Sequence, residues 1–174
     1  MEWENKADYY KCLLKEQLNN CRFQRHDFLN HFQVIKGYLQ LGMPDKAAAY
    51  IEEAVDSMAF QQQIFLISCP ELSSILFSWF FKLRARGIEM TLSFPEEMAV
   101  EEFWTTRWQE EYGERFLGYT KDCLNCLPGE VDPEQLRARV RLITLEEGFG
   151  CQFRLFYGED LRVEKDFQSQ ASED

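Results

Sequence analysis

No apolar run in this sequence approaches the ~20 residues that a membrane-crossing helix needs. The longest, Ile75 to Phe81, is broken by Ser78 and ends at Lys82, so no membrane span is expected. Positive charge is also scarce. Lys and Arg number 19 against 30 Asp and Glu, a formal net charge of -11. Nucleic acid is therefore not expected as a partner, because binding a phosphate backbone depends on clustered cations. Acidity of this kind mainly serves solubility. The opening residues MEWENKADYYKC carry acid where a signal peptide would carry positive charge followed by an apolar stretch, so a cytoplasmic protein is expected. In that compartment the six cysteines read as reduced thiols rather than a disulfide framework. Cys21 falls on an apolar helix stripe and reads as core. Cys123 and Cys126 form a lone C-x-x-C with no second pair and no nearby histidine to complete a tetrahedral site, so helix packing is the reading and no metal is expected.

What is present is enough apolar content to fold. With 45% hydrophobic residues in 174, the chain can bury a core in one medium domain or two small ones. No proline or glycine interrupts the N-terminal region before Gly37, which predicts a helix from between Glu2 and Ala7 to about Leu41. At about 100° per residue, Leu14, Leu18, Cys21, Arg25, Phe28, Phe32, Ile35 and Leu39 fall on one stripe of it. Gly42 is a natural stop, Pro44 suits a first helical turn, and Asp45 puts negative charge where a helix N-terminus favours it. LGMPD is thus the turn of a helical hairpin. The second helix, about Pro44 to Ile64, carries its own stripe of Ala48, Ile51, Val55, Met58, Gln62 and Phe65. Two amphipathic helices do not enclose a core, and the economical solution is a second copy forming a four-helix bundle.

Periodicity breaks at Ser68-Cys69-Pro70, which divides the chain into residues 1–67, a helical hairpin, and 68–174, a small α/β domain; the fold class is α+β. Pro70 to Arg86 reads as an apolar helix stopped by Gly87, Ile88 to Phe94 as a strand, and Trp108 to Leu127 as a helix. Glu96 to Arg107 has no clear pattern. After VDPE, Arg137 to Leu145 and Cys151 to Tyr157 alternate polar and apolar residues and form a hairpin about Gly148 and Gly150. Residues from Phe167 onward are polar and read as a frayed end.

The candidate site lies in the first helix. His26 and His31 are the only histidines. His26 lies roughly 160° around the helix from Phe28, on the face of Asn30, Gln33 and Gly37. It therefore faces solvent while its neighbours pack. His31 is about 140° from His26, too far for a shared metal, and reads as structural. Arg25, Asp27 and Asn30 surround His26, while Arg22, Arg25 and Lys36 make a basic flank on an acidic molecule.

These residues, R-H-D-x-x-N-x-x-Q-x-I-K-G from Arg25 to Gly37, closely resemble the sporulation initiation phosphotransferase B family; the shorter H-D-x-x-N is shared with sensor histidine kinases built on the same hairpin. The resemblance covers roughly the first third of the chain. It implies a homodimer joined through the hairpins, His26 as phosphoryl acceptor, and response regulator receiver domains as donor and acceptor partners, the receiver bringing its own Mg²⁺. Helix, strand, helix and hairpin in the second half also follow the order of a sensor kinase ATP-binding lobe. That lobe needs an asparagine-bearing helix for Mg²⁺ and glycine-rich loops for phosphate. Here Asn125 stands alone near the end of RFLGYTKDCLNCL, and no D-x-G-x-G occurs. The second half is read as a degenerate lobe without a nucleotide site.

The chain is therefore expected to be a phosphotransferase of a phosphorelay, in sporulation initiation. His26 would take phosphate from one receiver's aspartate and pass it to a second, with Arg25, Asp27 and Asn30 assisting and Arg22, Gln33, Lys36 and Gly37 meeting the partner. Two alternatives stand beside it: a non-catalytic dimeric hairpin that sequesters regulators or kinases, and a diverged sensor kinase.

Overall fold

The computed structural model describes residues 6–129 and 135–170. Three helices come first, α1 (Lys6–Gln40), α2 (Pro44–Phe65) and α3 (Pro70–Arg84), followed by strand β1 (Glu89–Ser93). A 3₁₀ turn (Glu96–Ala99) and the helices α4 (Glu101–Arg107) and α5 (Glu110–Asn125) lead to β2 (Leu136–Thr144), β3 (Phe149–Tyr157) and β4 (Asp160–Gln168). The protein is α+β, as the sequence predicts.

The 35 residues of α1 make a rod about 50 Å long at 1.5 Å per residue. It stops where glycine permits a left-handed turn. Gly42 has φ 69°, its N–H donates to the Leu39 carbonyl, and the Met43 N–H reaches back to Tyr38 at 2.9 Å. This pair of bonds satisfies carbonyls that the helix end leaves open. Pro44 then opens α2 at a position where its missing N–H costs nothing. The same device ends α3: Gly87 has φ 71° and bonds to Arg84, while Ile88 bonds to Leu83 and buries its side chain.

The four strands lie in the order β1-β2-β3-β4. β1 and β2 are parallel, and α4 and α5 make the crossover that a parallel pair requires. β2, β3 and β4 follow as an antiparallel meander. Period-two alternation sends Leu136, Ala138, Val140 and Leu142 inward with Phe149, Cys151, Phe153 and Leu155, whereas Arg137, Arg139 and Arg141 point out. Against the inner face pack α5, through Tyr112, Phe116, Leu117 and Cys123, and α3.

Helix α3 is apolar on nearly every side because it has neighbours on nearly every side. Leu72, Ile75, Leu76, Trp79 and Leu83 are fully buried between hairpin and sheet. Trp79 meets Phe116 edge-on at 6.4 Å and lies 5.2 Å from Phe153. Tyr9 and Leu13 of α1 and Ile64 of α2 belong to the same continuous core. A row of polar pairs fixes how α1 lies on α3. Tyr9 donates to Glu71, Gln17 to the Ser74 carbonyl at 2.8 Å, Asn20 to Ser78 at 2.8 Å, and Lys82 pairs with Glu16 at 2.5 Å.

Several expectations change. Within a single chain Cys21 is exposed and not part of the core, and the stripe residues Leu14, Leu18, Phe28, Phe32 and Leu39 are exposed with it. Within the chain α1 turns a different face inward, that of Tyr9, Leu13 and Asn20. The stripe expected on α2 is likewise outward at Ala48, Ile51, Val55, Gln62 and Phe65, while Ala47, Ala54, Gln61 and Ile64 pack inward. The patternless Glu96 to Arg107 segment is helical, and α5 starts at Glu110 rather than Trp108.

The tail from Phe167 is not frayed through Gln170. Phe167 is 8% exposed, the Ser169 hydroxyl accepts from the Phe149 N–H, and β4 itself was not foreseen. Its sequence DLRVEKDFQ hides the strand because charges dominate an edge strand that guards against further pairing. The VDPE segment and residues 171–174 lie outside the described residues.

Phe116 has no exposure and touches Trp79, Tyr119, Phe149 and Phe167. Phe116→Ala should lower unfolding free energy by about 3–5 kcal/mol, measured by urea titration, since truncating a fully enclosed ring leaves a cavity in the core.

Candidate functional site

Among the described residues none covers His26. Its side chain is 73% exposed on the middle of α1. The Nδ1 edge of the ring is the contacted one: Asn30 Nδ2 lies 3.2 Å away and Asp27 Oδ1 3.9 Å away. Asn30 is one turn on and so falls beside the ring, as residues four apart do. Its amide, turned about χ2, presents either oxygen or nitrogen to Nδ1. With its oxygen there, Nδ1 carries the proton and Nε2 keeps a free lone pair facing solvent.

Asp27 is only 32% exposed, and its second oxygen accepts a 3.0 Å contact from Arg84 Nη1 in the last turn of α3. The site therefore joins His26, Asp27 and Asn30 of α1 to Arg84 from the other half of the chain. Sequence reading missed Arg84. A cation in the final turn of a helix looks like ordinary complementation of the helix dipole, and nothing in FKLRARG distinguishes it.

Arg25, Gln33 and Lys36 are exposed on α1. Arg22 is exposed too, with Nη1 donating to Asn19 one turn back at 3.2 Å. Gly37 is half-buried, yet a Cβ built there meets nothing within 4 Å. Glycine in a helix interior costs roughly 0.5–1 kcal/mol relative to alanine, and no contact within this chain requires it. His31 points elsewhere: its Nδ1 is 3.0 Å from the Tyr50 hydroxyl, which ties α1 to α2 close to the hairpin turn.

The stripe from Leu14 to Leu39 and the outer residues Ile51, Val55 and Phe65 of α2 form a long apolar surface on the hairpin; Phe32 alone is 66% exposed. Monomeric proteins rarely expose apolar area on this scale without a partner. Among the described residues no helix is long and apolar enough to cross a membrane, and no group of three or more His, Cys, Asp or Glu could hold a metal.

Cys123 and Cys126 divide by environment. Cys123 is buried beside Tyr119, and burial pushes its thiol up to about 12, as it does that of Cys69; fully enclosed Cys151 is pushed well above its ordinary value. Cys126 is exposed.

Residues 9–67 match the family described as sensor kinase SpoOB-type, alpha-helical domain. The match begins at Tyr9 in α1, takes in the turn and α2, and ends at Ile67 in the link to α3. A search of curated proteins found no match.

Two outcomes follow. Tyr50→Phe should cost about 0.5–1.5 kcal/mol in thermal or urea unfolding, the worth of one hydrogen bond, and leave His26 chemistry unchanged. Iodoacetamide at pH 8 should modify Cys126 in the native protein and spare Cys69, Cys123 and Cys151, read by peptide mass spectrometry. The unfolded thiols ionise near 9 while the folded ones hold their protons to about 12, so stability present below pH 9 is lost as pH rises above it.

Proposed function

With its helical hairpin related to the SpoOB-type sensor kinase family, we propose that the chain is a phosphorelay histidine phosphotransferase, with His26 carrying the phosphoryl group between two response regulators. The observation that carries this reading is the imidazole of His26, open to a macromolecular partner at Nε2 and held from behind at Nδ1 by Asn30 and Asp27.

Nε2 attacks the phosphorus of an aspartyl phosphate on the donor receiver. The N–P bond forms as the acyl P–O bond breaks, and the electron pair leaves with the donor's aspartate carboxylate. The ring becomes a phospho-imidazolium whose positive charge sits against Asp27. The acceptor aspartate then reverses the steps, and the ring returns neutral with its Nδ1 proton in place. Donor and product are both high-energy phosphates, so catalysis consists of positioning and charge neutralisation. Mg²⁺, bound in the receiver's acidic pocket, offsets charge on the phosphoryl oxygens. Arg22, Arg25 and Lys36 suit that acidic pocket, since a basic flank on a molecule of net charge -11 both steers and orients it. Gly37 leaves room for the partner's backbone beside the helix, a use for a glycine that its own chain does not need.

The exposed stripes of α1 and α2 are proposed to pair with those of a second copy, giving a four-helix bundle that presents two His26 faces. The second half, 68–174, serves as a degenerate ATPase-like lobe with no nucleotide role. A cytoplasmic place of action in sporulation initiation completes the proposal.

Mixing the purified protein with a phosphorylated receiver domain should move phosphate to His26 as an acid-labile, base-stable adduct, and His26→Gln should abolish it while receiver binding persists. Inhibition that survives His26→Gln would favour sequestration instead, and label acquired from ATP and Mg²⁺ with no receiver present would mark a kinase. Sedimentation should give a dimer, and Leu18→Glu with Phe32→Glu should yield monomers.

A further inference from the structure

The proposed chemistry puts a carboxylate behind the reacting imidazole, but helix geometry does not supply that arrangement unaided. Residues adjacent in sequence diverge by about 100° on a helix and do not face each other. Asp27 must therefore be steered toward His26. The group that can steer it is Arg84, whose Nη1 lies 3.0 Å from Asp27 Oδ2 while Oδ1 of the same carboxylate lies 3.9 Å from His26 Nδ1.

Arg84 is itself well placed to act as a fixed point. It ends a helix whose other face is locked in the core through Ile75 and Trp79, and the turn at Gly87 and Ile88 sets where that end lies. One turn earlier Phe81 stacks on Phe23 of α1 at 6.3 Å, and Lys82 pairs with Glu16. The register between α3 and α1 is thus fixed on the N-terminal side of Asp27. Asp56 of α2 and Glu89 of β1 line the cleft beside Arg84, and Glu89 is already engaged by Arg137 at 2.7 Å.

We propose that Arg84 is a positioning residue: the C-terminal lobe uses it to fix the Asp27 carboxylate against Nδ1 of His26, keeping Nε2 outward and reactive. This rests on the phosphotransfer reading of His26 and gives the lobe a task in a protein that does not use nucleotide. As Nε2 bonds to phosphorus the ring gains positive charge, and a carboxylate fixed at Nδ1 stabilises it without having to be reoriented. The guanidinium also neutralises part of the carboxylate, so that the Nδ1 proton stays on the ring. Losing Arg84 frees Asp27 to turn to solvent.

Potassium phosphoramidate tests this without any receiver domain. Nε2 forms the N–P bond, the P–N bond breaks, and ammonia leaves with the electron pair. Phosphorus NMR reports both the rate and which ring nitrogen is modified. The wild-type protein should be labelled at Nε2. Arg84→Gln should slow labelling about tenfold and lose selectivity for Nε2, with its melting temperature retained. Arg84→Lys should recover part of the rate. Asp27→Asn should be slow as well, and the double variant no slower than Asp27→Asn alone, because both act through one carboxylate. Arg84→Gln labelled at the wild-type rate and nitrogen, or losses that multiply in the double variant, would overturn the assignment. Should Arg84→Gln not fold, Asp27→Asn decides: wild-type labelling there removes the carboxylate from the chemistry and Arg84 with it. A protein that labels as described but takes nothing from a phosphorylated receiver defeats the phosphorelay reading alone.

Discussion

Everything distinctive about this molecule depends on how one side of α1 is clamped to α3. The contact is mixed by design of its residues: Tyr9 and Leu13 enter the core, Phe23 stacks on Phe81, and Glu16, Gln17, Asn20 and Asp27 each find a partner on the facing helix. Apolar burial supplies most of the attraction. The polar pairs supply register, because a buried amide such as that of Asn20 is costly unless it meets the Ser78 hydroxyl. A one-turn slip would orphan several of these groups at once. A rod about 50 Å long is thereby held at a single height against a folded lobe.

That clamp divides α1 into faces with different jobs. One face is spent on α2 and α3. The stripe through Leu18, Phe28 and Phe32 is left open, and His26 projects on a third side. A helix supports this division because its 3.6-residue period sends successive residues around the full circle. Among the described residues, the C-terminal half reaches this site at the end of α3, where Arg84 pairs with Asp27. The aromatic core of Trp79, Phe116, Phe149 and Phe153 is remote from that chemistry and makes the end of α3 rigid.

Local signals wrote much of the fold legibly into the sequence. Gly42-Met43-Pro44 marks the hairpin turn through a left-handed glycine and a proline at the first helical turn, and both are used so. The alternation of Arg137, Arg139 and Arg141 with Ala138, Val140 and Leu142 reads as a strand with one wet face, and it is one. Less legible was β4, whose inward positions include Lys165 between Val163 and Phe167. On an edge strand the solvent is near enough for a charge to sit there, which erases the apolar pattern. Cys21 misled for a related reason: an apolar stripe on a helix says that something covers it, not which partner does.

The sequence by itself determined the hairpin, the α+β class and His26 as an exposed imidazole with Asn30 one turn away, since each of these follows from periodicity within a single helix or from residues that fix the local backbone. Only the tertiary structure decided which face of α1 meets α3, that β1 joins β2 in parallel, and that Arg84 reaches Asp27 across 57 positions of chain. These are meetings between distant segments. They are set by the packing of the whole core around α3, and no window of neighbouring residues contains that information.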